Sequence, residues 1–130
     1  MSKKIYVGDS KITKAGRGVF ASVDMKKNTV IEVCPILVMD AADYAHLANT
    51  ILKDYVYEHN KTGCLLALGN GSLYNHNALP NAKYELSEIE GSQQGGVELC
   101  ITAIKPIAKD DEIYINYGNQ FNRKFSKITE

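Results

Sequence analysis

The sequence predicts a mainly β domain carrying one helix, with a mixed α+β arrangement as the alternative. Short runs of β-branched and apolar residues recur along the chain, each bounded by Gly, Pro, Asn or Asp. Only one stretch has a helical period. Length agrees: 130 residues, 45% hydrophobic and 23% charged, suit one domain with one core and are too few for two ordinary domains. No internal repeat or low-complexity linker divides them.

In chain order, Lys4–Val7 and Ser10–Thr13 read as short strands around a Gly8-Asp9 turn. Gly16-Arg17-Gly18 breaks the chain before Val19-Phe20-Ala21. Thr29–Val33 and Ile36–Met39 read as strands separated by Pro35, which implies an edge or bend. Asp40 is a good N-cap. Tyr44, Leu47, Ala48, Ile51 and Leu52 then form one apolar stripe, so a helix should pack on a sheet there. Asp54–Glu58 reads as a strand, Cys64–Leu68 as a buried run, and Gly69–Pro80 as a loop without period. Ala82–Leu86 and Val97–Ile104 are strands around a polar loop, Ser87–Gly96. The second alternates with Val97, Leu99, Ile101 and Ala103 on one face. Lys105–Asp111 turns the chain, Glu112–Tyr117 alternates again, and Gly118 ends it. Phe121 and Phe125 suggest a last helical turn.

Fifteen Lys+Arg cancel fifteen Asp+Glu, but unevenly. Residues 1–30 sum to +5, residues 31–100 to −6 and residues 101–130 to +1. Zero net charge argues against nucleic-acid binding by bulk charge. The acidic middle, with Asp40, Asp43, Asp54, Glu58, Glu85, Glu88 and Glu90, reads either as plain solvated surface or as a rim for a basic partner. No signal-length or membrane-length apolar stretch occurs, so an intracellular protein in cytoplasm, nucleoid or host nucleus is expected. Cys34, Cys64 and Cys100 are odd in number and widely spaced, which argues against disulfides and structural zinc. A Cys64–His76 nucleophilic pair is compatible with the spacing, but buried inert cysteine is far commoner. Eight of the eleven aromatic residues are Tyr.

Three places look unlike plain packing. Gly16-Arg17-Gly18-Val19-Phe20 could let backbone approach a ligand, or could be a tight turn. Asn75-His76-Asn77-Ala78-Leu79-Pro80-Asn81 presents amides and an imidazole, or ties its own loop with Asn side chains. Glu112-Ile113-Tyr114-Ile115-Asn116-Tyr117-Gly118 can project a phenol into a cleft from a strand end, where Tyr is in any case common.

In this order, and with Asp54-Tyr55-Val56-Tyr57 and Phe121, these segments resemble the SET-domain protein lysine methyltransferases over roughly residues 4–125. The size resembles the minimal free-standing SET domains of viruses and prokaryotes. The resemblance implies a single SET domain over 1–130, with a catalytic core of about 4–118 and a closing segment 119–130. It implies a β-clip of small curved sheets with one short helix and a C-terminal pseudoknot, and S-adenosylmethionine as cofactor. Gly16, Arg17, Gly18 and Val19 would lie along the cofactor through their backbone. Asn75 and His76 would hold its amino-acid part and adenine. Tyr117 would be the catalytic tyrosine, and Tyr55, Ile115 and Phe121 would shape the lysine channel. No metal is implied. The partner would be a basic lysine-containing protein such as a histone, with neither nucleic acid nor membrane bound directly. A peptide-binding module without turnover is the alternative.

Some residues depart from the family pattern. Asn77 stands where Ser is frequent, and Ile115-Asn116-Tyr117 where Phe-Asp-Tyr is common. Aliphatic Ile115 leaves mono-, di- and trimethylation open. Flanking zinc segments are absent, so residues 119–130 close the channel unaided or a partner chain helps. A homodimer is thus left open.

Overall fold

The computed structural model describes residues 4–13, 15–59, 63–88 and 97–116. Nine strands make two sheets among them. The smaller sheet has the order β1-β2-β9-β6, from β1 (Ile5–Asp9), β2 (Arg17–Ala21), β9 (Glu112–Ile115) and β6 (Asn75–His76). The larger has the order β4-β5-β3-β8-β7, from β3 (Val30–Met39), β4 (Val56–His59), β5 (Gly63–Ala67), β7 (Ala82–Glu88) and β8 (Val97–Ala103). Val19, Ala21, Ile113 and Ile115 of the first sheet share one core with Cys34, Leu65, Leu99, Ile101 and Ala103 of the second. No helix among the described residues is long and apolar enough to cross a membrane.

Several expected boundaries shift. Gly8 and Asp9 are not a turn: β1 runs through them and pairs with Gly18 and Arg17. Reversal comes later, where Ser10 N–H donates to Gly16 O at 2.8 Å, so Ser10–Thr13 is loop rather than strand. Pro35 does not split its segment, and β3 passes straight through it. Its carbonyl accepts from Leu68 N–H at 2.9 Å, on the side where β5 has just ended. In an antiparallel strand a residue's N–H and C=O face the same way. The missing donor therefore points away from β8, and the Pro35–Glu98 register survives.

The helix is shorter than the apolar stripe suggests. Asp40 caps α1 (Ala41–Leu47) as expected, through a reciprocal box with Asp43. Thr50 then intervenes. Its hydroxyl donates to Leu47 O at 2.7 Å and accepts from Leu52 N–H, starting a separate 3-10 turn, Ile51–Asp54. Ile51 is left 70% exposed, and no residue of α1 is buried. Residues 69–80 are mostly loop as expected, but Asn75 and His76 form a strand parallel to Tyr114 and Ile115.

Candidate active site

Gly16 starts the site. Its φ of 79° is the left-handed conformation that favours glycine, and a Cβ there would meet nothing within 4 Å. The chain then enters β2, where Gly18 is buried for a different reason. A Cβ on Gly18 would collide with Glu112 Oε2 and stand 3.0 Å from Asn75 Nδ2. One glycine of the pair supplies a dihedral and the other supplies room.

Asn75 and Glu112 fill that room. Asn75 Nδ2 donates to Arg17 O at 2.9 Å and to Glu112 Oε2 at 3.1 Å. Glu112, 3% exposed, also accepts from Ser10 Oγ and Lys11 N–H, both at 2.8 Å, and from Tyr114 OH at 3.2 Å. Burial, and then the Glu112 charge, push the Tyr114 phenol above its usual pKa, so it remains a donor. The carboxylate thus ties together the β1–β2 loop, β6 and β9. Sequence reasoning missed it because a Glu beside an alternating Ile-Tyr-Ile reads as a solvent-facing position; its burial depends on the absent side chain of Gly18.

The asparagine-rich segment serves both of its readings. Asn77 Oδ1 accepts from Leu79 N–H at 2.9 Å, a local loop tie. Asn81 reaches β9, donating to Glu112 O at 3.0 Å and accepting from Tyr114 N–H at 2.8 Å. His76 is half-buried, and desolvation lowers its pKa, which favours neutral imidazole. Asn77 N–H donates to Ile115 O at 3.0 Å and extends the parallel ladder.

A cleft of about 190 Å³ is lined by Ala15, Gly16, Arg17, Tyr55, Ser72 and Leu73. It brings the glycine turn and Tyr55 together. Ser72, which the sequence did not single out, donates to Tyr55 O at 2.9 Å and so fixes the cleft wall. Tyr74, fully buried, and Asn70 hold the same loop through Glu32: Tyr74 OH lies 2.7 Å from Oε1 and Asn70 N–H 3.0 Å from Oε2. Val19 and Ile115 are wholly buried, backbone and side chain alike, and neither lines the cleft. Tyr117 and Phe121 lie outside the described residues.

Cys34 and Cys64 are buried thiols on the larger sheet, whereas His76 is on the smaller one. Burial, and then Glu32, push Cys34 up to about 12, an inert thiol at neutral pH. Among the described residues, no group of His, Cys, Asp and Glu could hold a metal ion. Asp40, Asp43 and Glu85 of the acidic middle are exposed.

The cleft suits S-adenosylmethionine in its wall chemistry. Gly16 leaves backbone uncovered, Tyr55 supplies an aromatic side, and Asn75 is held rigidly one strand away.

Known proteins agree with this architecture. The SET domain family model matches residues 16–118. A histone-lysine N-methyltransferase of Schizosaccharomyces pombe, H3 lysine-37 specific, is 30% identical over 107 residues, covering 82% of this chain and 69% of the relative. The SETD7 histone-lysine N-methyltransferase of Halocynthia roretzi is 24% identical, and the match takes in 93% of this chain but 33% of that protein. The crystal structure of a candidate histone methyltransferase from Plasmodium falciparum superposes with TM-score 0.72 at 40% identity, covering 92% of this chain and 97% of that one. Chaetomium thermophilum Polycomb Repressive Complex 2, solved with S-adenosylmethionine bound, shares the fold with TM-score 0.74 at 17% identity; 93% of this chain is covered but 16% of that one. The chain belongs to the SET-domain family, the protein-lysine methyltransferases that take their methyl group from S-adenosylmethionine.

Proposed function

We propose that the protein methylates a lysine in a basic protein, a histone or another chromatin protein, inside a cell. The observation that carries the reading is the cleft shared by Gly16, Arg17 and Tyr55, with Asn75 bonded to its rim through Arg17 O. The exposed acids Asp40, Asp43 and Glu85 support a basic substrate, and two relatives bear histone-lysine methyltransferase names. We assign the whole of 1–130 to one SET domain, with residues 119–130 closing the channel.

When bound, S-adenosylmethionine supplies an electrophilic methyl group on a sulfonium. The chain's own residues do the rest. The backbone of Gly16, Arg17, Gly18 and Val19 would hold the cofactor, and Asn75 and His76 would hold its amino-acid and adenine parts. A neutral His76 adds no positive charge beside the sulfonium. Tyr55, Ile115 and Phe121 shape a lysine channel whose aromatic walls disfavour a second cation. Free lysine has a pKa of about 10.4, so it must lose a proton before attack, and such walls favour the neutral amine. Tyr117 would orient that amine through its hydroxyl, which would also accept weak CH···O contacts from the methyl. The proton leaves to water, because a phenol with a pKa of about 10 is a poor base at neutral pH. Most of the rate then comes from alignment, which can supply roughly 7–11 kcal/mol.

Mass spectrometry of histones and other lysine-rich basic proteins after incubation with cofactor reads the target lysine and methyl number directly. Tyr117→Phe should lower the rate by about 10²-fold or more while calorimetry still shows cofactor binding. Unchanged turnover in that variant would remove Tyr117 from the mechanism. No methyl transfer to any basic protein would remove the substrate class.

A further inference from the structure

Glu112 is the buried acid that the mechanism above does not use. We propose that it is a positioning residue that sets the polarity of the Asn75 amide, leaving Oδ1 as the atom Asn75 offers to the cofactor's α-ammonium group. This rests on Asn75 belonging to the cofactor site. An amide has two donors on nitrogen and an acceptor on oxygen. Arg17 O and Glu112 Oε2 stand on one side of Asn75, and both are acceptors. A flipped amide would set oxygen against two oxygens, so Nδ2 must face them and both its protons are spent inside the protein. What remains for a ligand is an acceptor, and an acceptor matches an ammonium rather than a carboxylate.

Arg17 O alone would orient the amide weakly. Glu112 makes the orientation firm because its own position is over-determined. Ser10 Oγ and Lys11 N–H hold it from the β1–β2 loop, Tyr114 OH holds it from β9, and Gly18 leaves no slack above it. The residue touches no reacting atom; it acts through Asn75 and through the loop that ends at Gly16.

The test replaces the acceptor pair with one that can also donate. In Glu112→Gln, the new amide must turn NH₂ toward at least one of its four donor partners, and Asn75 loses its fixed neighbour. Calorimetric titration with S-adenosylhomocysteine, at a temperature where circular dichroism shows the variant folded, should give a Kd raised about tenfold, or about 1.4 kcal/mol. The cofactor KM should rise with it, while the KM for the basic peptide and kcat per folded molecule stay near wild type. A purely structural role would lower the melting temperature and the active fraction and leave Kd and both KM values alone, which overturns the proposal. Asn75→Ala is the companion: an unchanged Kd there overturns both the cofactor site and this inference, whereas a raised Kd there with an unchanged Kd in Glu112→Gln overturns this inference alone. If Glu112→Gln does not fold, NMR of the wild-type chain decides. Both Asn75 Nδ2 protons should exchange with water at least about tenfold more slowly than those of an exposed Asn, before and after S-adenosylhomocysteine is added. Fast exchange means the amide is not held, and the proposal fails.

Discussion

Gly18→Ala separates room from dihedral in the glycine turn. Gly18 is buried, and a Cβ added there would collide with Glu112 Oε2 and stand 3.0 Å from Asn75 Nδ2. Neither neighbour is the loose end of an exposed side chain, since each is held by further hydrogen bonds. Forced repacking of a tight interior costs about 1–3 kcal/mol. If the carboxylate moves aside, a buried polar group loses a partner, which costs about 1–3 kcal/mol more. The expected destabilisation is therefore about 2–6 kcal/mol. Gly16→Ala is the control: it meets nothing within 4 Å, and its cost is the left-handed conformation alone, about 1–2 kcal/mol. Urea unfolding followed by circular dichroism measures both, with equal m-values as the check that ΔG is comparable. A Gly18→Ala loss below about 0.5 kcal/mol, the size of an ordinary surface change, would refute the packed carboxylate beneath the turn.

Three further outcomes follow from separate features. Tyr74→Phe removes the hydroxyl by which a fully buried Tyr donates to half-buried Glu32, and thermal unfolding should show a loss of about 1–3 kcal/mol; no loss would mean that Glu32 does not anchor the loop. Cys34, pushed up to about 12 by burial, keeps its proton in the folded state at pH values where the unfolded thiol, near 9.0, has lost it. Its stabilisation is thus complete below pH 9.0 and fades as pH rises toward about 12; Cys34→Ala should flatten that alkaline slope, and an unchanged slope would assign it elsewhere. Capture of a basic peptide by the exposed acids Asp40, Asp43 and Glu85 should weaken as salt shortens the screening length, read as a rising peptide KM, and a flat KM would discard the acidic rim.

The sequence exposes those parts of the fold that are local. Val97–Ala103 and Glu112–Ile115 alternate and are strands, and Asp40 begins a helix because its side chain caps the first turn. It conceals the parts decided at a distance. Asn75 and His76 are too few to show any period, and only pairing with Tyr114 and Ile115 makes them a strand. Gly8 and Asp9 have turn chemistry, but their partners Gly18 and Arg17 hold them extended. The stripe through Ile51 and Leu52 has the right period, yet one Thr50 hydroxyl bonded to both sides diverts the backbone. The glycine turn, Asn75 and Tyr55 were legible only through the ordered resemblance to the SET-domain family, because each taken alone also reads as a turn, a loop tie or ordinary packing. Glu112 was not, because a charged residue announces exposure and nothing within its own strand says otherwise.

That burial explains why the site is built on an acid. Leu or Met at Glu112 would fill similar space, and apolar packing often equals a buried charge in stability. Here the neighbours decide against it. Ser10 Oγ, Lys11 N–H, Asn75 Nδ2 and Tyr114 OH all point inward at one place, and each would be left unsatisfied at about 1–3 kcal/mol. An apolar residue becomes tolerable only if several of those neighbours change with it, and Lys11 contributes backbone, which no substitution short of proline removes. Ser10 stands 102 residues from Glu112 in the chain, so the carboxylate gathers the first turn and the last described strand around Asn75. The bonds that close the fold and the bonds that aim the cofactor-binding amide are therefore the same bonds, and a change that loosens one must loosen the other.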